Sequence, residues 1–359
     1  MQMGISFGAS FVIAFTCIPI IIRLATINNL YDTPGGRHIH EGNVPSLGGL
    51  AIFLGFMVAI MIWIPTYNFR SFNFLYGVGA LLILVILGLR DDIIPLKWWP
   101  KLLGQVIAAF VVIYFGGTRL TSLYGFFGIY DIPDWASYVV SLFIILGIIN
   151  SYNMIDGVNG LAASIGIIAS LSFGTWFMLT GHGLMMVVAF ALAGGLAAFM
   201  KYNVTPSKIF MGDTGSMFVG FLLAVMAIRF IEYNKMLPVS DPYHLQAAST
   251  LAMGIVFIPI FDTTRLIVLR LISKKSPFSP DKNHVHHLLF RLGLSHGQIT
   301  IVLSIAALMI IVIGILAQPL GNMYALLLLG VLAAGSFILL DYLLYRKFPK
   351  KTRKRKLFN

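Results

Sequence analysis

Asn150-Ser151-Tyr152-Asn153-Met154-Ile155-Asp156-Gly157-Val158-Asn159-Gly160 joins two strongly apolar runs, Trp135 to Ile149 and Leu161 to Leu179. Each run has the length and apolarity of a helix crossing the ~30 Å hydrocarbon core of a bilayer. The joint between them is unusual. A plain turn between membrane helices needs no acid and no run of asparagines, yet this one holds Asp156, Asn150, Asn153 and Asn159 beside two glycines. Carboxylate and amide oxygens are the ligands of hard cations such as Mg2+, which keep open positions for substrate phosphates.

The composition carries the same message to the whole chain. At 58% hydrophobic and 11% charged residues, with a mean hydropathy of +0.89, no soluble globular fold fits. The single cysteine, Cys17, lies in the first apolar run, which excludes an intramolecular disulfide and leaves no thiolate metal site. Met1 to Gly4 holds no Lys or Arg and no small-residue cleavage site follows, so the first apolar run is expected to be a retained helix. Apolar spans are placed at about 5–22, 47–65, 73–89, 102–116, 135–149, 161–179, 184–200, 213–230, 247–271, 299–316 and 323–345. The expectation is an all-α polytopic membrane protein of about eleven spans. Residues 1–345 are expected to form one transmembrane domain and 346–359 a basic tail suited to anionic headgroups. Arg23, Arg37, Arg90, Lys97, Lys101, Lys201 and Lys208 fall in odd-numbered loops, as do the basic residues from Arg270 to Arg291. Even-numbered loops hold only Arg70, Arg119, Arg229 and Lys235. The positive-inside rule then places the N-terminus outside and the C-terminus in the cytoplasm.

On this topology the remaining polar motifs share the cytoplasmic face with the Asn150–Gly160 joint. Arg37 and His40 lie in a Gly- and Pro-rich loop that ends at Pro45-Ser46-Leu47-Gly48-Gly49. Asp91 and Asp92 end the third span, where membrane-embedded acids are costly and tend to be functional. Lys97 and Lys101 follow as snorkelling anchors or phosphate contacts. Met211-Gly212-Asp213-Thr214-Gly215-Ser216 opens the eighth span; a helix N-terminus favours phosphate, and Asp213 is equally a candidate cap. Pro259 is expected to kink or break the ninth span, and Asp262 and Arg265 are spaced to pair with each other. His284, His286 and His287 lack zinc spacing and a cysteine partner, and beside Lys282 and Arg291 they read as donors to a phosphate or nucleotide. Asp91, Asp92, Asn153, Asp156 and Asp213, ringed by Arg and His, suit Mg2+ and an anionic phosphate substrate. A soluble phosphate ester does not require eleven spans; a lipid phosphate does, because its tail needs a groove between helices. A transporter would set its ionisable residues near mid-bilayer and show repeats, and nucleic acid would need aromatic platforms; neither pattern is present.

Asp91-Asp92, Asn153-Met154-Ile155-Asp156-Gly157-Val158-Asn159-Gly160-Leu161, Met211 to Ser216 and His284-Val285-His286-His287, in this order, resemble the polyprenyl-phosphate N-acetylhexosamine-1-phosphate transferases. The resemblance runs from about Asp32 to Leu294 and is nearer the WecA/TagO branch than the MraY branch, whose histidine triplet is uninterrupted. It implies transfer of an N-acetylhexosamine-1-phosphate, most often GlcNAc-1-phosphate, from a UDP-N-acetylhexosamine to undecaprenyl phosphate in the bacterial inner membrane. The products are an undecaprenyl-diphosphate-sugar and UMP, the first membrane step of cell-envelope glycans such as O antigen and teichoic acid. The implied cofactor is Mg2+ or Mn2+, and a homodimer stays open. Asp213, Asn153 and Asp156 are then the expected metal residues, and Asp91, Asp92 and Asp156 the catalytic ones. Arg37, His40, Lys97, Lys101, Asn153, Asn159, Asn203, Arg265, His284, His286 and His287 are the expected substrate contacts. Two positions depart from the family pattern: Asn159 replaces the usual second acid of the central motif, and His38 replaces a lysine in the first loop. The MraY-type reaction on UDP-MurNAc-pentapeptide is the alternative within the class, and a proton-coupled transporter the alternative outside it.

Overall fold

The computed structural model describes residues 1–31, 44–63, 72–274 and 284–347. Its long elements are α1 (Gln2–Ile27), α2 (Gly48–Met61), α3 (Phe72–Ile93), α4 (Trp98–Phe110), α5 (Asp134–Met154), α6 (Leu161–Leu179) and α7 (Gly183–Asn203). They continue as α8 (Gly212–Met236), α9 (Ala248–Ile255), α10 (Phe257–Ile272), α11 (Val285–Arg291), α12 (His296–Leu316) and α13 (Gly321–Lys347). A π-helical turn, Val111–Phe115, extends α4. Among the described residues, 9 helical segments are long and apolar enough to cross a membrane. Every apolar segment read from the sequence contains helix, but two fall short of a single crossing helix. α2 has only 14 residues, and the ninth segment is two helices, α9 and α10, meeting at Val256. Pro259 accounts for that break, because it has no N–H to offer the Ile255 carbonyl and its ring clashes there. The chain is a multi-pass membrane protein.

α8 is the element around which the others pack. It is buried along almost its whole length and touches α2, α3, α5, α6, α7 and α9, whereas α12 and α13 turn most of their surface outward. An apolar helix in lipid gains little from burying one apolar surface against another, so close approach of backbones becomes the main attraction. Small residues permit it at the α8 N-terminus: a Cβ on Gly88 of α3 would lie 2.5 Å from Thr214 Cα, and Gly49 of α2 abuts Gly215. The chain entering α2 also pairs with the chain entering α8. Gly48 N–H donates to Phe210 O (2.9 Å), Gly49 N–H to Met211 O (2.8 Å) and Phe210 N–H to Pro45 O (2.8 Å). The start of α8 is thereby fixed by α2, α3 and its own approach segment.

At the other end of α8 the segment between α4 and α5 folds into a compact turn. Leu123 N–H donates to Tyr130 O, and Gly125 N–H to Ile129 O. Tyr124 and Phe127 both adopt positive φ there. Glu232 of α8 accepts from Thr121 N–H (2.7 Å), Thr121 Oγ1 (2.9 Å) and the Tyr124 hydroxyl (2.5 Å), and Asn322 of α13 donates to Tyr124 O (2.9 Å).

Candidate active site

The N-terminus of α8 carries free backbone N–H groups, and a carboxylate from another helix receives them. Asp92, at the end of α3, accepts from Asp213 N–H (2.7 Å), Thr214 N–H (3.0 Å) and Thr214 Oγ1 (2.6 Å). This corrects two sequence expectations: Asp213 is not the cap of its own helix, and these N–H groups are engaged by Asp92 rather than open to phosphate. Asp92 fits so closely that a Cβ at Gly212 would lie 2.7 Å from both carboxylate oxygens, and Gly212 has φ +71. Only glycine meets both demands at that position.

Asp91, next in the chain, faces another way. Lys101 Nζ lies 2.7 Å from Asp91 Oδ2 and 2.7 Å from Asp213 Oδ2, so one ammonium bridges α3 and α8. Leu96 N–H donates to the other Asp91 oxygen (2.5 Å). Asn153 donates its amide N–H to Asp213 Oδ1 and to Ser216 Oγ (2.6 Å). In this arrangement Asn153 positions Asp213, and its amide oxygen is the atom it would offer a cation. Asn150 donates to Gln105 Oε1 (2.8 Å), bracing α5 on α4. Asp156 completes the group. Desolvation pushes its carboxyl well above the usual range, the charges of Asp213 and Asp92 push the same way, and a hydrogen bond from Gly212 N–H opposes them. Four carboxylates thus converge on the start of α8 with Lys101 as the ammonium between two of them.

A second cluster meets this one from α10 and α11. Asp262, buried on α10, binds His284 Nδ1 (2.9 Å) and accepts from Val285 N–H (2.8 Å), so it both orients the histidine and holds the start of α11. Arg265 Nη1 lies 3.8 Å from Asp262 Oδ1, and its guanidinium packs 4.5 Å from the Phe337 ring of α13. The rings of His284 and His286 stack at 5.4 Å, and His287 lies 4.4 Å from His286. A Cβ on Gly157 would lie 3.5 Å from His286 Nε2, which brings the histidines onto the Asn150–Gly160 joint. Burial holds His286 down at about 3, and His287 beside it adds to the shift. His286 is therefore neutral at neutral pH and offers a hydrogen bond without a positive charge.

Both clusters line one cleft of about 3090 Å3. Asp91, Asp92, Lys101, Asn153, Asp156, Asp213, Arg265, His284, His286 and His287 form its polar end. From there it continues between α5, α10 and α13 along apolar side chains such as Phe143, Ile260, Leu329 and Phe337. Among the described residues no group of three or more His, Cys, Asp or Glu forms a ready-made metal cage. Mg2+ needs none, since one or two carboxylates with water and substrate phosphate satisfy it. Asp213 and Asp156, mutually repelling and under-neutralised, fit that donor set.

The comparisons with known proteins agree with this chemistry. The sequence profile of glycosyl transferase family 4 matches residues 74–231. A Bacillus subtilis probable undecaprenyl-phosphate N-acetylglucosaminyl 1-phosphate transferase is 30% identical over 308 residues, covering 84% of this chain and 81% of the relative. This chain belongs to the polyprenyl-phosphate N-acetylhexosamine-1-phosphate transferases. A Mycobacterium tuberculosis decaprenyl-phosphate N-acetylglucosaminephosphotransferase is 32% identical, covering 75% of this chain and 71% of the relative. An Escherichia coli K12 undecaprenyl-phosphate alpha-N-acetylglucosaminyl 1-phosphate transferase is 28% identical, covering 82% and 78%.

Within this transferase, three expected substrate contacts are not brought to the cleft. Lys97 is exposed at the start of α4. Asn159 is buried, donates to Thr205 Oγ1 (3.2 Å) and accepts from Thr300 Oγ1 through its carbonyl (2.9 Å), away from the acids. Its substitution for the family's usual acid therefore falls at a packing position. Asn203 is buried too: it accepts from Gly160 N–H (2.7 Å) and donates to Ile209 O (2.8 Å), fastening the joint to the approach of α8. Arg37 and His40 lie outside the described residues. Asp262 and Gln105 support the transferase site without having been singled out for it, and within the Met211–Ser216 motif Gly212 and Ser216 act by packing on Asp92 and by receiving Asn153. The only signal for Asp262 is an acid inside an apolar run, which pairing with Arg265 explains equally well.

Proposed function

We propose that the chain transfers GlcNAc-1-phosphate from UDP-GlcNAc to undecaprenyl phosphate. The observation that carries the proposal is the continuity of one cleft, from four carboxylates at the start of α8 to an apolar trough between α5, α10 and α13. A diphosphate and a divalent cation belong at the first end, and a polyprenyl tail fits the second. The printed activities of the relatives, GlcNAc-1-phosphate transfer to undecaprenyl or decaprenyl phosphate, support the same pair of substrates. The charge distribution along the chain supports eleven crossings with the acid cluster on the cytoplasmic face of the bacterial inner membrane.

In this reading an oxygen of the lipid phosphate attacks the sugar-bearing phosphorus of UDP-GlcNAc in line, the bond to the bridging oxygen breaks, and UMP leaves. One anhydride forms as one is lost. The second pKa of a phosphate ester is about 6, so at neutral pH the nucleophile needs placing more than deprotonating. Lys101 holds Asp91 and Asp213 in fixed relation, and Asn153 fixes the other oxygen of Asp213. Asp213 and Asp156 would hold Mg2+, which supplies charge neutralisation at the phosphoryl oxygens when bound. His286 donates a neutral hydrogen bond, and Arg265 supplies permanent charge at the cleft wall.

The test is UMP release by purified protein in detergent with undecaprenyl phosphate, Mg2+ and a panel of UDP-sugars. Release with UDP-GlcNAc, abolished by EDTA or by omitting the lipid, is the expected result. No release with any UDP-sugar, from folded protein, removes the proposal.

A further inference from the structure

Lys101 holds an oxygen that a divalent cation on Asp213 would need. Its ammonium lies 2.7 Å from Asp91 Oδ2 and 2.7 Å from Asp213 Oδ2, one positive charge between two carboxylates. The two oxygens of Asp213 are held in different ways. Oδ1 takes an N–H of Asn153, and Asn153 is itself fixed by its contact with Ser216 Oγ. Oδ2 takes the ammonium, a compact charge on a flexible four-carbon stem. The Lys101 side chain is 22% exposed where that of Asp91 is 7%, and it lines the polar end of the cleft. The amide contact is built to stay; the ammonium contact can exchange. Mg2+ bonds its oxygen ligands at about 2.0–2.1 Å. An ammonium kept on the same oxygen would then stand roughly 4 Å from a doubly charged ion, a strong repulsion that a partly buried site screens little.

We infer that Lys101 is an exchangeable counterion: a divalent cation displaces its ammonium from Asp213, and the freed ammonium goes to the diphosphate of the sugar donor. The inference rests on the transferase reading above. Lys101 shares the polar end of the cleft with Arg265, His284 and His287, so its ammonium has to leave Asp213 but not the cleft. The charges match at each stage. Before the exchange one ammonium serves Asp91 and Asp213; after it the cation serves Asp213, and the ammonium meets the phosphoryl oxygens that the donor brings. A cation arriving without a donor has to break the ion pairs of Lys101 while offering the ammonium no new anion, so it binds weakly. Cation and donor therefore bind cooperatively, coupled by a lysine that changes partners. The fixed relation that Lys101 gives Asp91 and Asp213 lasts until the cation arrives.

The experiment measures Mn2+ binding by calorimetry to purified wild type and Lys101→Met in detergent, alone and with saturating UDP as the diphosphate probe. Methionine keeps an unbranched stem and removes the charge. Lys101→Met is expected to bind Mn2+ alone about tenfold more tightly than wild type, because the cation no longer competes with an ammonium. With UDP present the two proteins should agree within about twofold, since UDP has drawn the wild-type ammonium off Asp213. Equal tightening with and without UDP would mean that Lys101 stays on the carboxylates throughout, and no tightening would mean that it never competes; each overturns the exchange. Lys101→Gln takes the place of the methionine variant if that one does not elute as a single folded species. If the wild type binds neither Mn2+ nor UDP, the transferase reading itself fails and the exchange with it, a result distinct from the other two.

Discussion

The two ends of α8 hold acids in opposite ways. At the N-terminal end Asp91, Asp92, Asp156 and Asp213 crowd together, Lys101 bridges two of them, and a third is capped on backbone N–H groups. At the C-terminal end Glu232 stands without another acid among its hydrogen-bond partners and receives three donors, two of them from hydroxyls and one from backbone. Satisfied carboxylates stabilise a fold. Crowded ones destabilise it, and persist where an incoming cation completes them. The contrast separates chemistry from architecture along a single helix.

The largest expected effect comes from removing charge at the crowded end. Asp213→Asn should lower turnover by about a thousandfold or more, because the proposed cation ligand and the ion pair with Lys101 are lost together. The protein should still elute as a folded species in detergent; an active Asp213→Asn enzyme would erase the proposed distinction between the two ends. Asp262→Asn acts one step further out, through His284. Loss of roughly tenfold to a hundredfold is expected, and full activity would mean that His284 needs no orientation. Next comes Asn203→Ala, which leaves Gly160 N–H without its partner and the Ile209 carbonyl with Ser207 Oγ alone. Thermal unfolding should report about 1–3 kcal/mol of destabilisation with an unchanged KM for UDP-GlcNAc; a raised KM would return Asn203 to the substrate contacts. Smallest is Arg119→Ala, which breaks a pair with the largely exposed Asp134. A shift no greater than about 1 kcal/mol is expected, and a larger one would show that the turn between α4 and α5 depends on ion pairing as well as on Glu232.

Much of the architecture was legible because the bilayer simplifies the problem: a long apolar run has few alternatives to helix. Even the broken ninth span could be read, since Pro259 removes a hydrogen bond wherever it sits in a helix interior. The convergence of the polar motifs was legible from charge alternation alone. What could not be read was which partner each polar group would find. Asp92 caps a helix that begins 120 residues later, and Asp213 shares its lysine with Asp91; no local spacing encodes either pairing. Asn159 and Asn203 carry the same amide as Asn153, and only three-dimensional placement separates two packing amides from one that touches an acid. Nothing local to Gly212 shows that its missing side chain makes room for Asp92.

α8, buried along almost its whole length, joins the acid cluster to the turn held by Glu232, and this restricts how the chain between them can change. Each residue inserted into α8 advances its far end by about 1.5 Å and swings it by about 100°. A single insertion would therefore turn Glu232 away from Thr121 and Tyr124 and break all three of its hydrogen bonds. Changes at that end are reached more readily by exchanging side chains in the 120–126 turn, which leaves the helical register intact. Across the family, variation is expected to gather in that turn while the length of α8 stays constant.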